Sequence, residues 1–175
     1  MKLEEPILRP AEPNDAVAVA GVHVRSWQVA YRGLLPDGYL DGLRPEERAQ
    51  RYTFDRVDAQ QPETLVALLH GEIRGFATLR PVPDPDVASV GELCGLYVDP
   101  SWWGKGIGTS LLAAVRARLV ERGFSVAILW VLIGNTRARK IYSMDGWVCD
   151  GSSRVEEVWG VMANEVRYRR ILRAP

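Results

Sequence analysis

Leu93-Cys94-Gly95-Leu96-Tyr97-Val98-Asp99-Pro100-Ser101-Trp102-Trp103-Gly104-Lys105-Gly106-Ile107-Gly108-Thr109-Ser110-Leu111-Leu112 reads as a buried strand, a glycine-rich turn and the opening of a helix. Such a junction suits a phosphate. Glycines admit an anion close to the backbone, and the unpaired amides and dipole at a helix N-terminus favour negative charge. Two familiar phosphate motifs do not fit. A dinucleotide fingerprint needs glycine where Thr109 stands, followed by an acidic residue at the end of the next strand, where the chain is apolar. A P-loop needs its lysine followed by Ser or Thr, whereas Lys105 precedes Gly106.

Working outward, Leu111, Leu112, Val115, Leu119 and Val120 continue the helix until Gly123, and Phe124 to Leu132 is apolar enough for a central strand. Asn135 opens a short helix through Ala138 and Ile141 to about Met144. Trp147-Val148-Cys149 and Glu165 to Ile171 read as strands. Upstream, Ile7-Leu8-Arg9 is a strand and Asn14 or Asp15 caps a helix reaching Ala30 or Tyr31. Leu34 to Gly38 is a turn, and Pro45 to about Phe54 a second helix. Thr64 to Leu69 and Ile73 to Arg80 form a hairpin around His70-Gly71-Glu72; the proline-rich segment 81–86 should stop the ladder until Val90. A strand meander followed by strand, helix, strand, helix, strand predicts an α/β (α+β) fold with a mixed sheet covered by helices on both faces.

Val98-Asp99-Pro100 with Gly104-Lys105-Gly106-Ile107-Gly108 and Leu111-Leu112 resembles the acetyl-CoA-binding motif of the GNAT superfamily of N-acetyltransferases. Asn135-Thr136-Arg137-Ala138-Arg139-Lys140-Ile141-Tyr142, leading to Gly146-Trp147, resembles that superfamily's second motif, the helix beside the pantetheine arm. The resemblance implies a mostly antiparallel sheet in which one adjacent parallel strand pair splays into a slot for acetyl-CoA. It places Leu96, Tyr97, Val98, Trp103, Gly104, Lys105, Gly106, Ile107, Gly108, Thr109, Asn135, Ala138 and Tyr142 at the cofactor. The family pattern has Gln or Arg where this chain has Trp103, so a polar contribution to pyrophosphate binding is missing there. Lys105 is a candidate replacement.

Acetyl transfer to an amine needs a neutral nucleophile, a stabilised oxyanion and a proton for the departing thiolate. A phenol of pKa about 10 is matched to a thiol of about 8.5 and stays protonated at neutral pH, which points to Tyr142; the resemblance gives the matching tyrosine the general-acid role. Period-two alternation places Glu92 on the face of Cys94, Leu96 and Val98, and makes it the candidate base, acting directly or through water. Backbone amides where Leu96-Tyr97-Val98 stops pairing are the candidate oxyanion donors. His23, Trp27 and Tyr31, at four-residue spacing, are candidate walls of an acceptor pocket, with His23 as an alternative base.

With 175 residues the chain is expected to form a single domain over 1–175. The 22 basic and 22 acidic residues cancel, so no global field draws it to nucleic acid or an anionic membrane, and the run Arg167, Arg169, Arg170, Arg173 reads as a solvated strand face. Met1 to Pro6 lacks a leader-like apolar run and no stretch is long enough to span a membrane, so a cytoplasmic location is expected. Cys94 and Cys149 read as buried thiols. A small-molecule amine is the favoured acceptor. A protein N-terminus or lysine, or a non-catalytic acyl-CoA-binding module, are the alternatives, and the resemblance leaves homodimerisation open.

Overall fold

The computed structural model describes residues 4–55, 58–87 and 90–173; the part of the N-terminal reading that falls on Met1, Lys2 and Leu3 lies outside them. Seven strands form one sheet: β1 (Ile7–Pro10), β2 (Glu63–Leu69), β3 (Glu72–Val82), β4 (Val90–Val98), β5 (Val126–Leu132), β6 (Val148–Val158) and β7 (Val161–Ile171), in the order β1-β2-β3-β4-β5-β7-β6. Every neighbouring pair is antiparallel except β4 and β5. Helix α1 (Ala16–Ala30), with the short α2 (Asp37–Gly42) and α3 (Pro45–Ala49), covers one face. Helices α4 (Ile107–Glu121) and α5 (Thr136–Met144) cover the other. The expected α/β fold with a mixed, mostly antiparallel sheet is the one observed.

The core has two layers because both faces of the sheet are apolar. Leu111, Leu112, Val115 and Leu119 of α4 pack on Ala77, Leu79, Leu93 and Leu129. On the opposite face Val19 and Val22 of α1 meet Val66 and Phe76, and Trp27 joins Leu35, Leu40 and Leu43. α4 lies unusually close to the sheet at Gly91, where an added Cβ would come within 2.5 Å of Leu119 Cδ2, so only glycine admits the helix there. The end of β4 is tied to α1 by Arg25, whose Nη2 and Nε donate to Asp99 at 2.7 and 2.9 Å. Among the described residues no helix is long and apolar enough to cross a membrane.

Several local readings change. Leu34 to Gly38 is not only a turn: Asp37–Gly42 is helical despite two glycines, because Leu40 is fully buried beneath α1 and the Tyr39 hydroxyl donates to the Trp159 carbonyl at 2.6 Å. The helix from Pro45 ends at Ala49 rather than near Phe54, which has φ +55°. The Pro81 region does continue a ladder. Pairing with β2 ends at Leu79, so β3 beyond it is bonded on one side only and proline is tolerated. β6 runs on to Val158, past an irregularity at Gly151, and joins β7 through Trp159-Gly160.

Both cysteines are exposed, not buried. For Cys94 the cause is a bulge in β4. Thr78 pairs with Gly95 and Leu79 with Leu93, which leaves Cys94 as the extra residue. The bulge also breaks the alternation expected from Glu92. Leu93, Leu96 and Val98 pack toward α4, whereas Tyr97 packs toward α1 and a Cβ on Gly95 would meet the Tyr97 ring; Glu92 therefore does not share the face of Leu96 and Val98. The arginine run on β7 is less solvated than expected, with Arg167 on Asp150 at 2.6 Å, Arg170 on Asp145 at 3.6 Å and Arg169 on Asp84 at 3.9 Å.

Candidate active site

β4 and β5 pair only at Gly91–Ala127, Glu92–Ile128 and Leu93–Leu129. Beyond that point β4 continues with β3 to Val98, β5 continues with β7 to Leu132, and the two strands part. The gap opens the sheet from one face to the other and forms a cleft of about 650 Å³. Backbone groups of β4 that would have bonded to β5 need other partners. The Val98 carbonyl finds two: Ser26 Oγ–H and Trp103 Nε1–H both donate to it at 2.8 Å. Trp103 thus fastens the free end of β4.

At one end of the cleft lies the glycine turn. Gly104 and Gly106 have φ +75° and +83°, a region costly for any residue with a Cβ, and Gly106 caps α4. Ser110 N–H is the first α4 amide to reach a carbonyl, that of Gly106 at 3.0 Å; among the described residues the amides of Ile107, Gly108 and Thr109 make no backbone bond. These amides, with the helix dipole, form an anion cradle. Lys105 is not among the lining residues; its ammonium sits over the Trp102 ring, 4.1 Å from the centroid. A cation stands nearby on α5. Arg137, exposed at the start of α5, stacks its guanidinium over Trp103 at 3.5 Å, has no acidic partner among the described residues, and lines the cleft. Partial burial lowers its pKa from the usual arginine value, and it stays charged throughout the working pH range.

In the middle stand Leu96, Asn135, Ala138 and Tyr142. The Asn135 side chain caps α5 by accepting from Ala138 N–H at 3.2 Å, and so fixes the helix that carries the tyrosine. Tyr142 is 7% exposed and packs its ring edge-on to Trp147 at 6.4 Å. Burial, reinforced by Tyr97, pushes its phenol well above the ordinary tyrosine range, so it is protonated at any working pH. Tyr31 and Tyr97 are raised as well, burial again the first cause, and Tyr31 feels Tyr97, Tyr142 and the Glu165 carboxylate. Polar ends of residues on both faces of the sheet therefore converge at the gap.

The far end is aromatic and aliphatic. Trp27, Tyr31, Leu35, Val158 and Val161 line it, with Glu165 on the same face of β7 as Val161 and Ala163. His23 does not line it. Its ring stacks behind Tyr97 at 4.9 Å, Nδ1 lies 2.5 Å from the Tyr52 hydroxyl, and Nε2 faces Nη1 of Arg48 at 3.2 Å. An arginine can only donate, so Nε2 accepts and the proton sits on Nδ1. Burial, then the Arg48 charge, pushes the His23 pKa well down; with both nitrogens engaged the imidazole has no free lone pair for a substrate proton.

The structure thus brings together every sequence-derived cofactor residue except Lys105, together with Trp27, Tyr31 and Tyr142. Glu92 lies outside the lining set: it is 5% exposed and its Oε2 accepts from Arg80 Nε at 2.8 Å. Two lining charges escaped the sequence reading. Arg137 lies inside the second motif, between Asn135 and Ala138, and Glu165 opens the last strand of the sequence reading.

The model of the family described as Acetyltransferase (GNAT) matches residues 24–147. An uncharacterised N-acetyltransferase of Bacillus subtilis (strain 168) is 30% identical over 131 residues, covering 73% of this chain and 72% of that protein. An aminoglycoside N(6')-acetyltransferase type 1 of Stenotrophomonas maltophilia is 34% identical over 122 residues, covering 67% and 70%. In fold, the chain is similar to the PaiA N-acetyltransferase of Thermoplasma acidophilum, solved in complex with coenzyme A, with a TM-score of 0.75 at 20% identity over 96% of this chain and 99% of that one. The splayed strands, the glycine turn and these matches agree: the chain belongs to the GNAT family of acetyltransferases, as an N-acetyltransferase.

Proposed function

We propose that this N-acetyltransferase, folded as one domain, transfers the acetyl group of acetyl-CoA to a primary amine of a small molecule by direct attack within a ternary complex. The observation that carries this reading is the gap between β4 and β5, which exposes an anion cradle at one end and an apolar, aromatic chamber at the other, with Tyr142 between them. The residues present fit the cofactor: Ile107, Gly108 and Thr109 offer amides, and Arg137 on Trp103 offers the charge that the glycine turn lacks. Bound there, acetyl-CoA would supply an activated acetyl group, a thioester that an amine can add to and that releases a thiol.

The chain's own groups do the rest. Tyr142 gives its proton to the leaving sulfur and regains one from the amine nitrogen, which attacks in its neutral form and sheds that proton as the amide forms; β4 amides left without a β5 partner are placed to donate to the developing oxyanion. Aromatic and aliphatic walls exclude water, which strengthens both interactions.

No covalent acyl-enzyme is needed. Cys94 faces the cleft rather than the core, and desolvation by the surrounding cleft walls, then the Glu92 charge, push its thiol up to about 12, so the thiolate is scarce at neutral pH. Cys94→Ala is expected to keep kcat within about threefold, and initial rates with varied acetyl-CoA and amine should give intersecting reciprocal plots. Parallel plots, or a dead Cys94→Ala enzyme, would sink direct attack.

Glu92 receives a structural role in this reading, as the buried anchor that joins β3 to β4 through Arg80. Glu92→Gln is expected to leave kcat within about threefold across pH 6 to 9 and to lower stability by about 1–3 kcal/mol, the effect of weakening a buried charged hydrogen bond. A hundredfold loss of kcat with the melting temperature unchanged would return Glu92 to the chemistry.

A further inference from the structure

Resting on the acetyltransferase reading above, we propose that Glu165 is the acceptor's counter-charge, and that the enzyme selects a small monoamine with an apolar or aromatic body over a polyamine or aminoglycoside.

Glu165 is the sole carboxylate among the described cleft-lining residues, and it stands in the aromatic half. It is 9% exposed, and its carboxylate is close enough to Tyr31 and Tyr97 to raise both phenols. Its Oε2 accepts from Arg154 Nε at 2.8 Å. That arginine does not cancel the site, because its Nη1 is also shared with Glu156 at 3.8 Å, so the three groups together carry one net negative charge. Arg154 is itself held over the Trp130 ring at 4.2 Å, which keeps Oε2 in place. The result is one negative charge on an otherwise apolar wall, the complement of one ammonium on an apolar body.

A second charge on the acceptor would be unwelcome. Behind the wall lies Arg48, only 7% exposed, with its guanidinium 4.1 Å from the Trp159 ring and 5.3 Å from the Trp27 ring. This cation opposes any ammonium in the aromatic chamber; Glu165 offsets it for one, and a further ammonium meets no second lining carboxylate among the described residues. Desolvation of that unpaired charge has nothing to offset it.

The test is calorimetric titration of the CoA-saturated protein with three amines: 2-phenylethylamine, 4-methylaniline, which is uncharged at pH 7.5, and a tetracationic aminoglycoside. Wild type, Glu165→Gln and Glu165→Asp are compared. The expected result is that 2-phenylethylamine binds wild type more tightly than the aminoglycoside does, weakens about tenfold or more in Glu165→Gln, and recovers in part in Glu165→Asp, whereas 4-methylaniline binds all three alike. Equal affinity of 2-phenylethylamine for wild type and Glu165→Gln overturns the proposal, as does tighter binding of the aminoglycoside or no binding of the monoamine. Should Glu165→Gln not fold, the ranking of the three amines on wild type alone decides. Carboxylate-dependent amine binding without thiol release from acetyl-CoA would refute the transferase reading and leave this one standing.

Discussion

Tyr142→Phe is expected to lower kcat by about a hundredfold to ten-thousandfold while changing acetyl-CoA affinity less than about threefold. The substitution removes one oxygen and keeps the ring, whose packing against Trp147 and Tyr168 holds α5 in place, so the fold and the cleft should persist. What disappears is the group that donates to a departing thiolate of pKa about 8.5. Because burial keeps the phenol protonated far beyond neutrality, the wild-type rate should show no loss attributable to Tyr142 ionisation between pH 6 and 9. The sign follows from the shift: a raised pKa extends the acid form upward in pH. Steady-state kinetics over that range, with thermal melts as the folding control, check both parts. A Tyr142→Phe enzyme with full turnover would remove the tyrosine from the reaction.

The second large effect is expected at the other end of the cleft. Arg137→Ala should raise the acetyl-CoA dissociation constant by about tenfold to a hundredfold, and steepen neither kcat nor amine binding by more than about threefold. Arg137 is the one cation lining the cleft among the described residues, and Trp103 holds it by stacking while donating to Val98. Two functions are joined in Trp103 in this proposal, the closure of the splayed β4 end and the placement of the charge proposed to bind phosphate. Arg137→Lys should recover little, since a lysine has neither the planar face for the indole nor the forked donors. Trp103→Gln, which restores the family's usual side chain, is expected to weaken binding rather than strengthen it, because the Arg137 platform and the Val98 bond leave together. Direct titration of acetyl-CoA at low and high salt measures this; the wild-type advantage over Arg137→Ala should shrink as salt rises. Unchanged affinity in Arg137→Ala would return the phosphate to the amides alone.

Much of this was legible in the chain because the signals are local. Gly104, Gly106 and Gly108 between an apolar strand and an apolar helix specify strand, turn and helix without help from distant residues, and Asn135 announces α5 by its cap. The hairpin at His70-Gly71 was equally plain, both residues taking positive φ. The readings that failed depend on partners far away in sequence. Alternation from Glu92 is sound until Cys94 bulges, and that bulge is visible only in the register of β4 against β3. Residues Asp37–Gly42 become helical because Leu40 and Tyr39 find α1 and Trp159. Arg137 and Trp103 belong to separate motifs, and nothing in either predicts that one stacks on the other. Glu165 gains its place only when β7 inserts between β5 and β6 and turns its odd-numbered face into the gap.

The parting of β4 and β5 links these features, since it supplies the free amides, admits Trp103 to Val98, and lets Tyr142 and Tyr97 line one cleft from opposite faces of the sheet. The gap is proposed to support acetyl transfer from acetyl-CoA to a small amine. Thiol release from acetyl-CoA in the presence of 2-phenylethylamine, with the acetylated product counted by mass spectrometry, tests it most directly. Amine-dependent release with one N-acetyl product per thiol is expected; tight acetyl-CoA binding with no release above background for any primary amine would contradict transfer at this gap.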